Sequence, residues 1–206
     1  NRDNQSYATV QIGSQCWMTE NLNYDRDCDN TTWVNNTDTA WCGCYNNSST
    51  LCDTYGKLYQ WSAAMNNEIE DGAQGICPDG WHVPTNEEFN TFVSYTYTNP
   101  NYLCNGHNGK SLASNYGWNS TTTLCAIGNN QSTNNATGFN AYPVGFHTPS
   151  AGSFAGVGIY SCFWSSLTNS SSTAVVRYLY SSADSGFSSV NDSRAYGYSV
   201  RCLKNP

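Results

Sequence analysis

Ten cysteines constrain this chain more than any other feature of it: Cys16, Cys28, Cys42, Cys44, Cys52, Cys77, Cys104, Cys125, Cys162 and Cys202. Their number is even and their spacing wide. No two form the Cys-x-x-Cys pair of a zinc ribbon, and Cys42-Gly-Cys44 is too short for ordinary zinc spacing. The set reads as a disulfide frame in an extracellular or cell-surface protein, matured in an oxidising compartment. With all ten expected to pair, no low-pKa thiolate is left for nucleophilic chemistry. Spacing alone does not choose among the possible connectivities.

One tether sits in the most informative stretch, residues 75–89. Pro78 and Gly80 force a turn beside Cys77. Trp81 and Val83 alternate with His82, which reads as a short extended piece, and Pro84 ends it. Thr85 and Glu88 have the spacing of a capping box. Phe89, Phe92 and Val93 then give a helix over about 86–97 its apolar stripe.

Elsewhere, Tyr7–Ile12 alternates as a first strand, and Gly13-Ser14 turns the chain into a second at Gln15–Met18. Residues 23–54 form an insert rich in Cys, Asn, Asp and Thr. Within it Asp25, Asp27 and Asp29 alternate, but the further liganding order of a calcium loop is missing, so a solvated loop is expected. Tyr55–Met65 predicts another helix, with Leu58, Trp61, Ala64 and Met65 on one face. Loops dominate 99–137. Strands are expected at Gly138–Phe146, Ile159–Ser166, Val175–Tyr180, Phe187–Asn191 and Tyr198–Leu203, the last three in meander. There is no internal repeat and no linker, so all 206 residues are read as a single domain of the α+β class.

Charge excludes two classes of partner. Charged residues make up 11% of the chain and the net charge is −7, with the eight basic residues scattered. Nucleic acid requires clustered Lys or Arg, so it is not an expected partner. No run of about 18 apolar residues exists, so no membrane insertion by this segment is expected. The chain opens in ordinary polar sequence, read as a mature or trimmed form.

Six motifs occur in order: Trp17-Met-x-Glu-Asn-Leu22, Tyr55-Gly-x-Leu-Tyr-x-Trp61, Gly75-Ile-Cys-Pro-x-Gly-Trp-His-Val-Pro84, Gly138-Phe-x-Ala-x-Pro-x-Gly145, Phe163-Trp-Ser-Ser166 and Gly197-Tyr-Ser-Val-Arg-Cys202. Together they resemble the Fibrobacter succinogenes major paralogous domain over about residues 7–204. That family resembles the C-type lectin-like fold, in the branch that also holds formylglycine-generating enzymes and the variable proteins of diversity-generating retroelements. The resemblance implies two helices flanking small antiparallel sheets, long loops and paired chain ends. It also implies a pairing of Cys77 with Cys202, Cys104 with Cys125, and Cys44 with Cys52. Cys28 with Cys42 and Cys16 with Cys162 are then left. Each bridge would contribute roughly 2–4 kcal/mol.

The segment 165–196 has a restricted alphabet. It holds eleven serines and no Lys, Glu, Gln, Met or Trp. Adenine mutagenesis of an Asn codon can yield Ser, Asp, Tyr, Ala, Val, Gly or Phe, but none of those five absent residues. The resemblance places the variable face between Phe163-Trp-Ser-Ser166 and Gly197-Tyr-Ser-Val-Arg-Cys202. Residues 167–196 are therefore expected to carry a diversified binding surface. Tyr178, Tyr180, Phe187 and Tyr196 are its expected anchors, because aromatic rings supply stiff contact area at little entropic cost. Val175, Val176, Ser182, Asp184, Ser189, Asn191 and Ser193 form the expected adaptable ring. Alternation sets Tyr178 and Tyr180 against Arg177 and Leu179, and Leu179 is expected in the core.

The expected ligand is a protein or glycan on another cell surface, bound by a monomer without metal or cofactor. Catalysis is not expected: His82, His107 and His147 have no Ser or Cys nucleophile arranged beside them in sequence. The bland alternative is a Ser-rich meander in a non-diversified adhesin or glycan-binding module. For sugar stacking, Trp33, Trp41 and Trp118 are the freer tryptophans, because Trp17, Trp61, Trp81 and Trp164 lie in scaffold motifs.

Overall fold

A computed structural model describes residues 5–25, 37, 39–150 and 152–206. Its elements are β1 (Thr9–Ile12), β2 (Gln15–Met18), β3 (Cys42–Gly43), α1 (Ser49–Tyr55), β4 (Leu58–Tyr59), α2 (Trp61–Ala64), β5 (Trp81–His82), α3 (Asn86–Thr96), α4 (Gly109–Leu112), β6 (Phe146–His147), β7 (Phe154–Ala155), β8 (Tyr160–Thr168), β9 (Thr173–Tyr180), β10 (Ser188–Ser193) and β11 (Leu203–Lys204). The class is α+β, with few helices and small antiparallel sheets.

The chain ends meet in one sheet of order β1-β2-β11-β5. Gly13, at a φ of 62°, turns β1 into β2. Leu203 then pairs with Trp17 on one side and His82 on the other. The Cys77–Cys202 bridge fastens the same junction. Cys44–Cys52 and Cys104–Cys125 also form, as the resemblance implied.

Strands β8, β9 and β10 make an antiparallel meander of order β10-β9-β8. Phe163 and Leu179 from one of its faces join Trp17, Phe89, Phe92, Phe139 and Phe187 in an aromatic core. Trp17 lies 5.1 Å from Phe89 and 5.3 Å from Phe92, ring to ring. Helix α3 reaches this core through its cap. Thr85 Oγ1 accepts from Glu88 N at 3.1 Å, and Glu88 Oε2 accepts from Thr85 N at 2.8 Å. Burying each of the two α3 phenylalanines contributes roughly 1.5–3 kcal/mol.

The other face packs at one end on a second core around Trp61, Trp164, Val176 and Tyr198. The buried indoles there are satisfied: Trp61 Nε1 donates to Ser165 O at 3.0 Å, and Trp164 Nε1 to Tyr59 O at 2.7 Å. Arg201 joins the two cores to the chain ends. It is fully buried, donates to Asn21 Oδ1 and to the Met18 and Phe139 carbonyls, and lies over the Phe139 and Phe163 rings. Burial pushes its guanidinium down to about 9.

Four expectations are corrected. Tyr55–Met65 is not one helix. Gly56 ends α1 at a φ of 77°, where a Cβ would meet Asn21 Cβ at 2.7 Å. Tyr59 N then donates to Tyr198 O, so non-local pairing overrides helical spacing between Leu58 and Trp61. Gly138–Phe146 is not a continuous strand: Gly138 and Asn140 hold positive φ, and only β6 is regular. Residues 198–202 form no single ladder. Their backbone groups serve Tyr59, Cys162, Trp164, Leu22 and Met18 in turn, and the last strand is confined to β11. Finally, Cys16 and Cys162 do not pair and are both free thiols. Cys16 sits in the β1–β2 hairpin, whereas Cys162 lies in β8 of a different sheet, opposite Tyr178. The Cys28 of the expected Cys28–Cys42 pair lies outside the described residues, as do Asp27, Asp29 and Trp33.

Candidate ligand-binding face

Strand alternation and register assemble one sheet face from residues far apart in sequence. Tyr160 pairs with Tyr180, Cys162 with Tyr178, and Trp164 with Val176. On the other side of β9, Ser188 pairs with Tyr178, Val190 with Val176, and Asp192 with Ala174. Side chains at these even-numbered positions share a face, since successive residues of a strand point to opposite sides. Trp164, Val176 and Ala174 are covered by the second core. The face opens at the Tyr180 end of β9 and along β10: Tyr180 is 36% exposed and Val190, opposite Val176, 45%.

Two adjoining clefts cut into this face. The larger, about 270 Å³, lies between Phe146, Tyr160, Tyr178, Val190 and Tyr196, with Cys162, Asp192 and Tyr198 toward its floor. Tyr196 and Tyr198 stack at 5.4 Å with planes 2° apart. Phe146 meets Tyr160, Tyr196 and Tyr198 edge-on, at 6.0, 5.9 and 5.8 Å. Such packing holds the rings in fixed orientations. The second cleft, about 220 Å³, shares Tyr160 and Tyr178 and extends past Tyr180 to Ser185 and Ser188. Elsewhere a cleft of about 130 Å³ opens near Glu20 and Asp53, lined by Tyr7, Tyr55 and Tyr142, and another of about 220 Å³ opens near Lys110 and Tyr102; the larger cleft of the sheet face gathers five rings.

The one charge at the floor is negative. Tyr198 Oη donates to Asp192 Oδ2 at 2.6 Å, and Ser193 N donates to Asp192 Oδ1 at 2.8 Å. Burial and then the Asp192 carboxylate push the Cys162 thiol and the Tyr196 hydroxyl up. Burial, followed by the neighbouring Cys162 and Asp192 groups, does the same to Tyr198. All three groups are therefore protonated at neutral pH, and Cys162 is an inert thiol.

The structure brings Val176, Tyr178, Tyr180 and Tyr196 of the expected set together on this face. It does not bring the rest. Phe187 is a core residue, with its ring 5.6 Å from Phe89, 5.5 Å from Phe139 and 5.7 Å from Phe163. Val175 is buried on the opposite face, and Val176, though on the cleft side, is 1% exposed. Ser189, Asn191 and Ser193 take the odd-numbered frame of β10, opposite Arg177, Val175 and Thr173. Ser182 is exposed after β9, and the Asp184 carbonyl accepts from Gly109 N. A frame set by Phe187 assigns β10 to the wrong side, because a one-residue slip turns every side chain over. Phe146, Tyr160, Ser188, Val190, Asp192 and Tyr198 were missed. Only the register of β8 on β9 and the 197–202 path place them here, although continuing the Tyr178/Tyr180 frame across β10 would have found Val190 and Asp192.

Other expected groups lie elsewhere. Trp41 and Trp118 are 3% and 4% exposed, so neither is free to stack on a sugar. His82 contacts Glu88 and Asn205, and His107 lies 3.6 Å from Asp184. His147 packs between Trp41 and Phe154, and burial pushes it down to about 4. Asp25 pairs with Lys57 at 3.1 Å. Among the described residues no group of three or more His, Cys, Asp or Glu side chains has metal-site geometry, and no helix is long and apolar enough to cross a membrane.

The family model of the Fibrobacter succinogenes major domain matches residues 10–204. No curated protein and no solved structure matches the chain.

Proposed function

The chain belongs to the Fibrobacter succinogenes major domain family, and we propose that it is an extracellular ligand-binding domain whose binding surface is the open face of the β8–β9–β10 sheet. The observation that carries this reading is the pair of adjoining clefts walled by Tyr160, Tyr178, Tyr180 and Tyr196. Partly exposed, oriented aromatic rings with serines between them are the composition of paratopes. Among the described residues three disulfides, together with the paired chain ends, supply a stiff frame beneath. The same paired ends and two-sided meander support a C-type lectin-like assignment of the fold.

The restricted alphabet of 165–196 supports diversification of this face by a retroelement. The surface then follows strand alternation on β9 and β10 and comprises Tyr178, Tyr180, Ser188, Val190 and Asp192, with Tyr196 beside them. Close copies of the gene, sequenced with their neighbourhood, test this. The proposal expects a reverse transcriptase, a template repeat, and adenine-derived substitutions at those codons with Arg177, Leu179 and Phe187 constant. Substitutions spread evenly over both sheet faces would leave only a fixed binding module. Catalysis by this domain is not part of the reading.

A further inference from the structure

We propose that the larger cleft receives an organic cation, the side chain of a lysine or arginine on a partner protein, with Asp192 as its counter-charge. This rests on the reading that the open sheet face is the binding surface.

Three observations carry it. First, the walls are rings. Phe146, Tyr160, Tyr178 and Tyr196 surround the opening, and a cation is attracted to the electron-rich face of an aromatic ring. Second, the floor holds a carboxylate without a cationic partner. Among the described residues the ion pairs are Lys57–Asp25, His82–Glu88 and His107–Asp184, and none involves Asp192. Among the described residues its oxygens accept from Tyr198 Oη and Ser193 N alone, so lone pairs remain for a further donor. Third, the chain's nearby guanidinium groups are committed elsewhere. Arg177 donates to Asn86 O and Asn90 Oδ1 on the opposite side of the sheet, Arg194 lies over Trp61 at 4.2 Å, and Arg201 is in the core.

Size and surroundings select a side chain on a protein. About 270 Å³ lies below the range of drug-sized ligand pockets. The second cleft continues the groove past Tyr180 and Ser188, giving room for peptide on either side of the inserted group. An anion would meet the Asp192 carboxylate, and among the described residues no Lys, Arg or His lines the cleft.

The test titrates the intact protein, followed by NMR, with Nα-acetyl-lysine methylamide, its arginine counterpart, choline chloride and the uncharged 3,3-dimethyl-1-butanol, at fixed ionic strength. The expected result is saturable shifts of Tyr178, Tyr196 and Val190 with the lysine or arginine amide. Asp192→Asn, which keeps an acceptor for Tyr198, should weaken that binding about tenfold through loss of the charge pair. Asp184→Asn should leave it unchanged. Saturation by the uncharged alcohol as readily as by the cations overturns the cation assignment while leaving the face a binding surface. Binding of choline alone overturns the assignment to a protein side chain. No shift with any of the four overturns the inference, and if unrelated protein targets selected against this face also fail to bind, the functional reading falls with it.

Discussion

Of the bridges between described residues, removing Cys77–Cys202 should be the most damaging. The bridge closes 125 residues of chain, against 21 for Cys104–Cys125 and 8 for Cys44–Cys52. In the chain-entropy account, the loss grows with the logarithm of the closed loop. It amounts to about 5 kcal/mol for Cys77–Cys202, about 3.3 for Cys104–Cys125 and about 2.5 for Cys44–Cys52 at 25 °C. The Cys104–Cys125 bridge lies inside the larger loop and shortens it, which lowers the first figure by only about 0.2 kcal/mol. Packing acts in the same direction. Cys77 and Cys202 are fully buried in the core around Trp61 and Trp164, so paired alanines also leave a void, whereas Cys44 is only half-buried. Spread over 206 residues, about 5 kcal/mol corresponds to a melting-point fall of roughly 11 °C. Paired Cys→Ala variants, unfolded in urea and followed by tryptophan fluorescence, measure the order. A Cys44/Cys52 deletion costing as much as Cys77/Cys202 would refute the chain-entropy reasoning.

The remaining predictions concern buried charge and buried thiols. Burial alone would lower the His82 pKa, but hydrogen bonds to Glu88 and Asn205 and the Glu88 charge raise it; burial would raise Glu88, and His82 and Thr85 lower it. The His82 contribution is complete below the ordinary imidazole value of 6.5 and lost as pH rises through the raised folded value. That of Glu88 is complete above 4.5 and lost as pH falls through the lowered one. A His82→Gln variant should therefore differ most from the parent in melting temperature between pH 4.5 and 6.5 and less at pH 9; a pH-independent difference would contradict the linkage. Arg201→Met should cost about 1–3 kcal/mol in urea unfolding, because the Asn21, Met18 and Phe139 oxygens lose their donor inside the core. Iodoacetamide at pH 8 with peptide mapping should label Cys16 in the native protein and Cys162 only after unfolding, since burial and then Asp192 raise the latter thiol.

The parts of the fold legible in the sequence are those fixed by local chemistry. The Thr85/Glu88 capping box, the Phe89/Phe92 stripe and the Gly13 turn state their structures within a few residues, and the structure keeps all three. The family motifs implied three bridges that form. What was not legible depends on distant partners. Leu58 and Trp61 have helical spacing, yet they go to different cores because Gly56 kinks the chain against Asn21 and Leu22. An even cysteine count says nothing of which sheet each thiol enters, and Cys16 and Cys162 stay apart. At the site, β9 alternation was readable, so Tyr178 and Tyr180 were found. Phe187 was not: its ring looks the same in sequence whether it anchors a ligand or closes a core, and its position just before β10 shifted that strand's frame by one residue.

Two displayed libraries test the central claim most directly. One randomises Tyr178, Tyr180, Ser188, Val190, Asp192 and Tyr196; the other randomises Val175, Arg177, Leu179 and Phe187. The measurement is the fraction of clones that remain protease-resistant and the recovery of binders to unrelated target proteins. Most clones of the first library should stay folded and yield binders, while the second largely unfolds. Equal loss of folding in both, or a folded first library without binders, would contradict that claim.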